Sequence, residues 1–225
     1  MADKDHMNMI ITGHIDNGKS TTMGHFLLDL GVVDERTIAA HAKESEETGK
    51  GDSFKYAWVM DNIKDERARG ITIDLAFQKF ETPKFFFTLI DAPGHRDFIK
   101  NMITGASEAD AAVLVLSAKE GETDTAIAPG GQAREHAFLL KTLGVKQLIV
   151  AINKMDDSKF SEDAFNTAKQ KGEGLVKSVG YKIEDVPFVP VSGWTGENLV
   201  KKSENMPWYK GKTLLETFDD FKVPE

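Results

Sequence analysis

The chain has 225 residues, enough for one α/β domain with a full hydrophobic core or two small ones. Hydrophobic residues at 40% and charged residues at 28% are ordinary globular values, no apolar stretch is long enough to cross a bilayer, and the polar residues 1–9 are not a secretory signal. Cysteine is absent, which excludes disulfides and thiolate metal sites, and a net charge of -8 is not that of a dedicated nucleic-acid-binding domain.

Residues 7–12 (MNMIIT) form a short apolar run of the buried-strand kind, ended by Gly13. Residues 19–30 place Met23, Phe26, Leu27 and Leu30 at helical spacing. Residues 34–69 are charged and helix-prone, without a strand signal. Residues 71–80 and 85–90 read as two strands about the turn Thr82-Pro83-Lys84, an antiparallel pair because the link is short. Residues 111–116 (AAVLVL) and 147–152 (QLIVAI) read as central strands, with a helix over 132–143 between them. A helix over 161–179, a last strand over 186–191 and a closing helix over 213–221 complete the series. Strands alternating with helices predict an α/β protein with a mostly parallel six-stranded sheet and helices on both faces.

Gly13-His14-Ile15-Asp16-Asn17-Gly18-Lys19-Ser20 matches the phosphate-loop pattern G-x-x-x-x-G-K-S, between a strand and a helix as the mechanism requires. Its glycines let successive N–H groups point at phosphate oxygens, and the following helix, continuing through Thr21, adds its N-terminal partial charge. Lys19 is expected to bridge the β- and γ-phosphates and Ser20 to ligate Mg²⁺. A chance match in a chain of this length is on the order of one in a hundred. An ordinary glycine turn before a helix is the competing reading.

Asp91-Ala92-Pro93-Gly94 closes a strand. A carboxylate there can hold Mg²⁺ through a water, and the Gly94 N–H can meet a γ-phosphate. Asn153-Lys154-Met155-Asp156 follows another buried strand and matches N-K-x-D. The Asp156 carboxylate, an acceptor only, suits the adjacent N1–H and N2–H₂ donors of guanine, a pair adenine lacks. Lys154 would lay its stem along the base and Asn153 would tie loops together. Ser192-Gly193-Trp194 fits a further base-contacting loop, although Trp194 alone could simply cap the core. In Arg69-Gly70-Ile71-Thr72-Ile73-Asp74 the threonine could complete a Mg²⁺ shell when the γ-phosphate is present.

Gly13-His14-Ile15-Asp16, Arg69-Gly70-Ile71-Thr72 and Asp91-Ala92-Pro93-Gly94-His95 resemble the translational GTPases. Residues 54–61 (FKYAWVMD), 95–105 (HRDFIKNMITG), 131–136 (GQAREH) and Asn205-Met206-Pro207-Trp208-Tyr209 resemble, more narrowly, the G domain of the archaeal and eukaryotic elongation factor 1 alpha family. The resemblance covers nearly the whole chain and implies the P-loop GTPase fold. It also implies one G domain over residues 1–225, with the two β-barrels that follow it in the family absent from this chain. The implied activity is GTP hydrolysis coupled to delivery of aminoacyl-tRNA to the ribosomal A site, slow unless the ribosome stimulates it. GTP or GDP, Mg²⁺ and a monovalent cation near Asp16 are the implied cofactors. The ribosome, aminoacyl-tRNA and a guanine nucleotide exchange factor are the implied partners of a cytoplasmic monomer without membrane contact. His95 would position the attacking water, with Ile15 and Ile71 as the apolar gate before it. Asn17 departs from the family, which usually has His there; nucleotide binding is expected to survive, because Asn is polar and tolerates unusual backbone angles. Two other readings stand beside this one. A release-factor or ribosome-rescue GTPase is disfavoured by residues 205–208, and a module that holds GTP without hydrolysing it by Lys19, Thr72 and His95.

Overall fold

The computed structural model describes residues 4–52, 54–60, 75–93 and 99–224. Six strands form one sheet in the order β2-β3-β1-β4-β5-β6. These are β1 (Asp5–Gly13), β2 (Ala76–Glu81), β3 (Phe85–Asp91), β4 (Ala111–Ser117), β5 (Gln147–Asn153) and β6 (Phe188–Pro190). Every pairing is parallel except the β2–β3 hairpin across Pro83. Around the sheet lie α1 (Lys19–Asp29), α2 (Glu35–Glu47), α3 (Phe54–Ala57), α4 (Ile99–Ser107), α5 (Glu122–Ile127), α6 (Gln132–Thr142), α7 (Glu162–Val179) and α8 (Leu214–Phe218).

The central strands are apolar on both sides because both faces are covered. Alternate residues of β1 and β4 divide between two cores. Ile10, Ala112, Leu114 and Leu116 pack with Met102 of α4, Ala137 and Leu140 of α6, and Leu175 and Val176 of α7. Met9, Ile11, Val113 and Val115 pack on the opposite face with Met23, Phe26 and Leu27 of α1 and Phe218 of α8. Phe26, Phe80, Phe87 and Phe218 interlock with ring centroids 5.1–6.0 Å apart, fixing α1 and α8 against the hairpin.

The six strands and the antiparallel β2–β3 pair agree with the sequence reading, with two differences. Helices α4 and α5 were not foreseen. The last strand starts later than residue 186, because the Val186 N–H is taken by the Ile183 carbonyl of a preceding 3-10 turn and Pro187 has no N–H to offer. The charged stretch 34–69 begins with α2, capped by Asp34 accepting from the Thr37 N–H at 2.7 Å, and continues into α3; residues 53 and 61–74 lie outside the described residues. Since β1 pairs with β3 on one side and β4 on the other, the chain reverses its winding at β1, and loops after the parallel strands converge there.

Candidate nucleotide-binding site

The loop after β1 depends on two close backbone approaches. At Gly13 (φ +148°) a Cβ would lie 2.5 Å from the Val115 carbonyl oxygen, and at Gly18 (φ +78°) it would lie 2.6 Å from Asn153 Nδ2. Gly18 is also the residue from which α1 starts, so its N–H groups face the loop's concavity. Lys19, only 7% exposed, donates to the His14 carbonyl at 3.0 Å and so closes the loop with its ammonium. Burial pushes the Lys19 pKa down, and the nearby Asp91 and Asp16 carboxylates oppose that shift.

Behind the loop, α6 braces it twice. The Gln132 N–H donates to His14 Nδ1 at 3.2 Å, and buried His136 Nδ1 lies 2.6 Å from the Thr12 hydroxyl. Burial, then the Lys19 and His14 charges, lower the His136 pKa to about 3, so the imidazole is neutral. Asn17 Nδ2 donates to the Val115 carbonyl at 3.2 Å, which ties the loop to β4.

Ser20 Oγ donates to Asp91 Oδ2 at 2.6 Å, with Asp91 fully buried at the end of β3 beside buried Ala92 and Pro93. At the far end, Asn153 Nδ2 donates to the Asn17 carbonyl at 2.8 Å and Asn153 Oδ1 accepts the Gly193 N–H at 2.8 Å. Asp156 Oδ1 accepts the Ser192 hydroxyl at 2.6 Å, which holds the carboxylate at the rim of the site. Met155 is buried beneath, and Lys154, at φ 62°, reaches Glu122 Oε2 at 2.8 Å. Burial pushes the Glu122 carboxyl up, but hydrogen bonds from Lys154 and Ser117 and the charges of Lys154 and Lys119 outweigh it and leave the pKa lowered. Trp194 is 40% exposed, edge-on to Tyr56 with Lys55 Nζ 5.4 Å from its ring centroid, so it does not cap the core.

The elongation factor Tu GTP binding domain family matches residues 4–223. The chain belongs to that family. It is 86% identical over its full length to elongation factor 1-alpha of Cenarchaeum symbiosum, spanning 52% of that protein, and 56% identical to the Ignicoccus hospitalis factor, spanning 50% of it. The chain thus spans about half the length of the curated relatives it matches. Among solved structures it superposes on sup35 complexed with GDP (TM-score 0.71, 34% identity, 97% of this chain and 45% of that one). It also superposes on the S. cerevisiae Ski7 GTPase-like domain bound to GTP (TM-score 0.80, 26% identity, 96% of this chain and 49% of that one). The architecture is the P-loop GTPase fold.

Within that frame, residues 13–21, 91–93, 153–156 and 192–194 of the site read from the sequence are brought together at the carboxyl ends of β1, β3, β5 and β6. Gly94, His95, Ile71 and Thr72 lie outside the described residues. The donor set suits Mg²⁺, which is held by one or two protein oxygens and the nucleotide's phosphates. Ser20 and Asp91 supply such oxygens side by side, and no cluster of three or more His, Cys, Asp or Glu suited to a metal occurs among the described residues. Two contributors carried no sequence signal, His25, whose Nδ1 is 2.8 Å from the Gly193 carbonyl, and Glu122 under Lys154; Gln132 and His136 behind the loop lie in the stretch 131–136 that carried the family resemblance without a role assigned to it. Only folding brings these distant positions to the motifs.

Proposed function

We propose that this chain is the GTP-binding and GTP-hydrolysing domain of a translation elongation factor that carries aminoacyl-tRNA to the ribosomal A site. The observation that carries the reading is Asn153, which joins the phosphate loop at Asn17 to the base loop at Gly193, beside the Ser192 whose hydroxyl holds Asp156. A guanine base read by Asp156 then places its phosphates along the α1 N-terminus. Lys19 meets the charge of the transferring phosphoryl group, and the loop N–H groups hold its oxygens. Mg²⁺, when bound, supplies charge neutralisation at the phosphates, with Ser20, Asp91 and Thr72 as the residues to hold it. His95 orients the attacking water once a large partner engages, with Ile15 and Ile71 holding it back beforehand. A monovalent cation near Asp16, an exchange factor, the ribosome and a cytoplasmic setting belong to the same reading.

The degree of identity to elongation factors 1-alpha supports delivery over a release or rescue role. The test is nucleotide binding and turnover in parallel: GDP must bind far more tightly than ADP, and GTP hydrolysis must rise on addition of ribosomes to the chain in its full-length context. Equal affinity for GDP and ADP would sink the base assignment. Turnover indifferent to ribosomes would sink the translational role.

A further inference from the structure

The segment 205–208 stands apart from every motif that contacts nucleotide in the reading above, yet it holds both base-side loops. Asp156 rides on a tight turn over residues 154–160, where Lys154 (φ 62°), Lys159 (φ 52°) and Phe160 (φ 56°) all adopt left-handed backbone conformations. Side chains of the L series rarely do so, and they persist there only when surrounding contacts leave no alternative. Part of the constraint is internal: Lys159 N–H donates to the Asp156 carbonyl at 3.0 Å and Phe160 N–H to the Met155 carbonyl at 2.7 Å. Ser158 Oγ adds a bond to the Ala118 carbonyl at 3.1 Å. The far end of the turn is fixed from outside, where Trp208 Nε1–H donates to the Phe160 carbonyl at 2.9 Å. The indole is itself seated on Phe165, in the first turn of α7, with ring centroids 5.4 Å apart.

The same segment reaches the other loop. Asn205 Nδ2 donates to Glu197 Oε1 at 2.7 Å. The Glu197 backbone carbonyl accepts the Ser192 N–H at 3.1 Å, and Ser192 Oγ donates to Asp156 Oδ1. Met206, 2% exposed, anchors the segment in the core between the two arms. Among the described residues no hydrogen bond joins 205–208 to the phosphate loop 13–20.

We infer that Asn205 and Trp208 clasp the two base-side loops and are positioning residues for guanine specificity. Trp208 holds the backbone that aims the Asp156 carboxylate; Asn205 holds the strand-like pair that carries its hydroxyl partner. Both act through Asp156 and not through the phosphates. The inference rests on the reading of Asp156 as the guanine acceptor.

The test is the ratio of GDP to IDP affinity, measured by calorimetry on the wild-type chain, Trp208→Phe, Asn205→Ala and the double variant. IDP lacks the 2-amino group, so it keeps the phosphate contacts and loses one of the two donors that Asp156 accepts. Trp208→Phe keeps an aromatic ring on Phe165 and removes the N–H together with part of the indole's volume. Each single variant is expected to lower the GDP/IDP preference about fivefold, the scale of one net hydrogen bond, with IDP affinity falling less than GDP affinity because hypoxanthine keeps only the N1–H donor to Asp156. Asn205 is exposed, so Asn205→Ala keeps the test open should Trp208→Phe give no folded protein. Equal weakening of GDP and IDP, or an unchanged ratio beside a strong wild-type preference, would overturn the clasp alone. A wild type without preference for GDP over IDP would overturn the base reading and the clasp with it.

Discussion

Asn153 places its two amide atoms on opposite loops, donating to the Asn17 carbonyl and accepting from the Gly193 N–H, both at 2.8 Å. One buried side chain therefore sets the spacing between the phosphate and base ends of the site. Asn153→Ala leaves a buried carbonyl and a buried N–H without these partners, a cost of about 1–3 kcal/mol each. Stability to urea is expected to fall by about 2–4 kcal/mol, and GDP release, followed by stopped-flow fluorescence, to accelerate at least about tenfold. Unchanged release would remove Asn153 from the site.

Asp156→Asn exchanges an acceptor-only carboxylate for an amide that also donates. Xanthine presents a carbonyl where guanine has its amino group, so the variant should prefer XDP. Loss of the charge-assisted pair is expected to cost about 1.5–3 kcal/mol of GDP affinity or more. Competition between GDP and XDP reads this directly. A variant that still prefers GDP would mean that the Asn153 loop is not the base site.

His136 gives a pH signature. Its pKa falls from 6.5 to about 3 on folding, chiefly by burial, so between those values the unfolded chain binds more protons than the folded one. Stability then rises with pH through this window: the contribution is complete above the unfolded pKa and is lost as pH falls from 6.5 towards 3. From pH 7 to pH 5 this one residue is expected to remove about 2 kcal/mol. Urea unfolding of wild type and His136→Gln at the two pH values isolates this loss, and parallel losses in both proteins would show that His136 does not carry it.

Catalysis should be poor in isolation. Among the described residues no arginine hydrogen-bonds to the phosphate loop, and turnover by the chain alone is expected on the order of 10⁻² s⁻¹ or slower, the range of GTPases without an activator. His95→Ala should leave GDP affinity nearly unchanged, because the proposed role makes no ground-state phosphate contact. In the full-length protein with ribosomes it should cut stimulated single-turnover hydrolysis at least about a hundredfold. Equal stimulated rates would end the role given to His95.

What the sequence revealed and what it hid divide by range. The Lys19-Ser20 loop, the β2–β3 hairpin about Pro83 and the doubly buried strands follow from local pattern, because glycine spacing, a short turn and continuous apolar runs each have one ready structural meaning. The expectation that Asn153 ties loops together agrees with its two bonds. Helix α5 did not show in the pattern. It is six residues long, starts at Gly121 in a left-handed conformation, and too few of its residues face the core to print a helical period. His25 and His136 are buried histidines whose partners lie 168 and 124 residues away, and nothing local distinguishes them from surface histidines.

The chain holds three tryptophans in three different settings: Trp58 is 2% exposed in the core, Trp208 is half-buried on Phe165, and Trp194 is 40% exposed beside Gly193. The loop proposed to read the base thus carries its own optical label, set apart from the others by its access to solvent. A soluble quencher such as acrylamide should silence Trp194 first. Ligand occupancy at this end of the sheet can then be followed by native emission, without attaching a dye to the nucleotide.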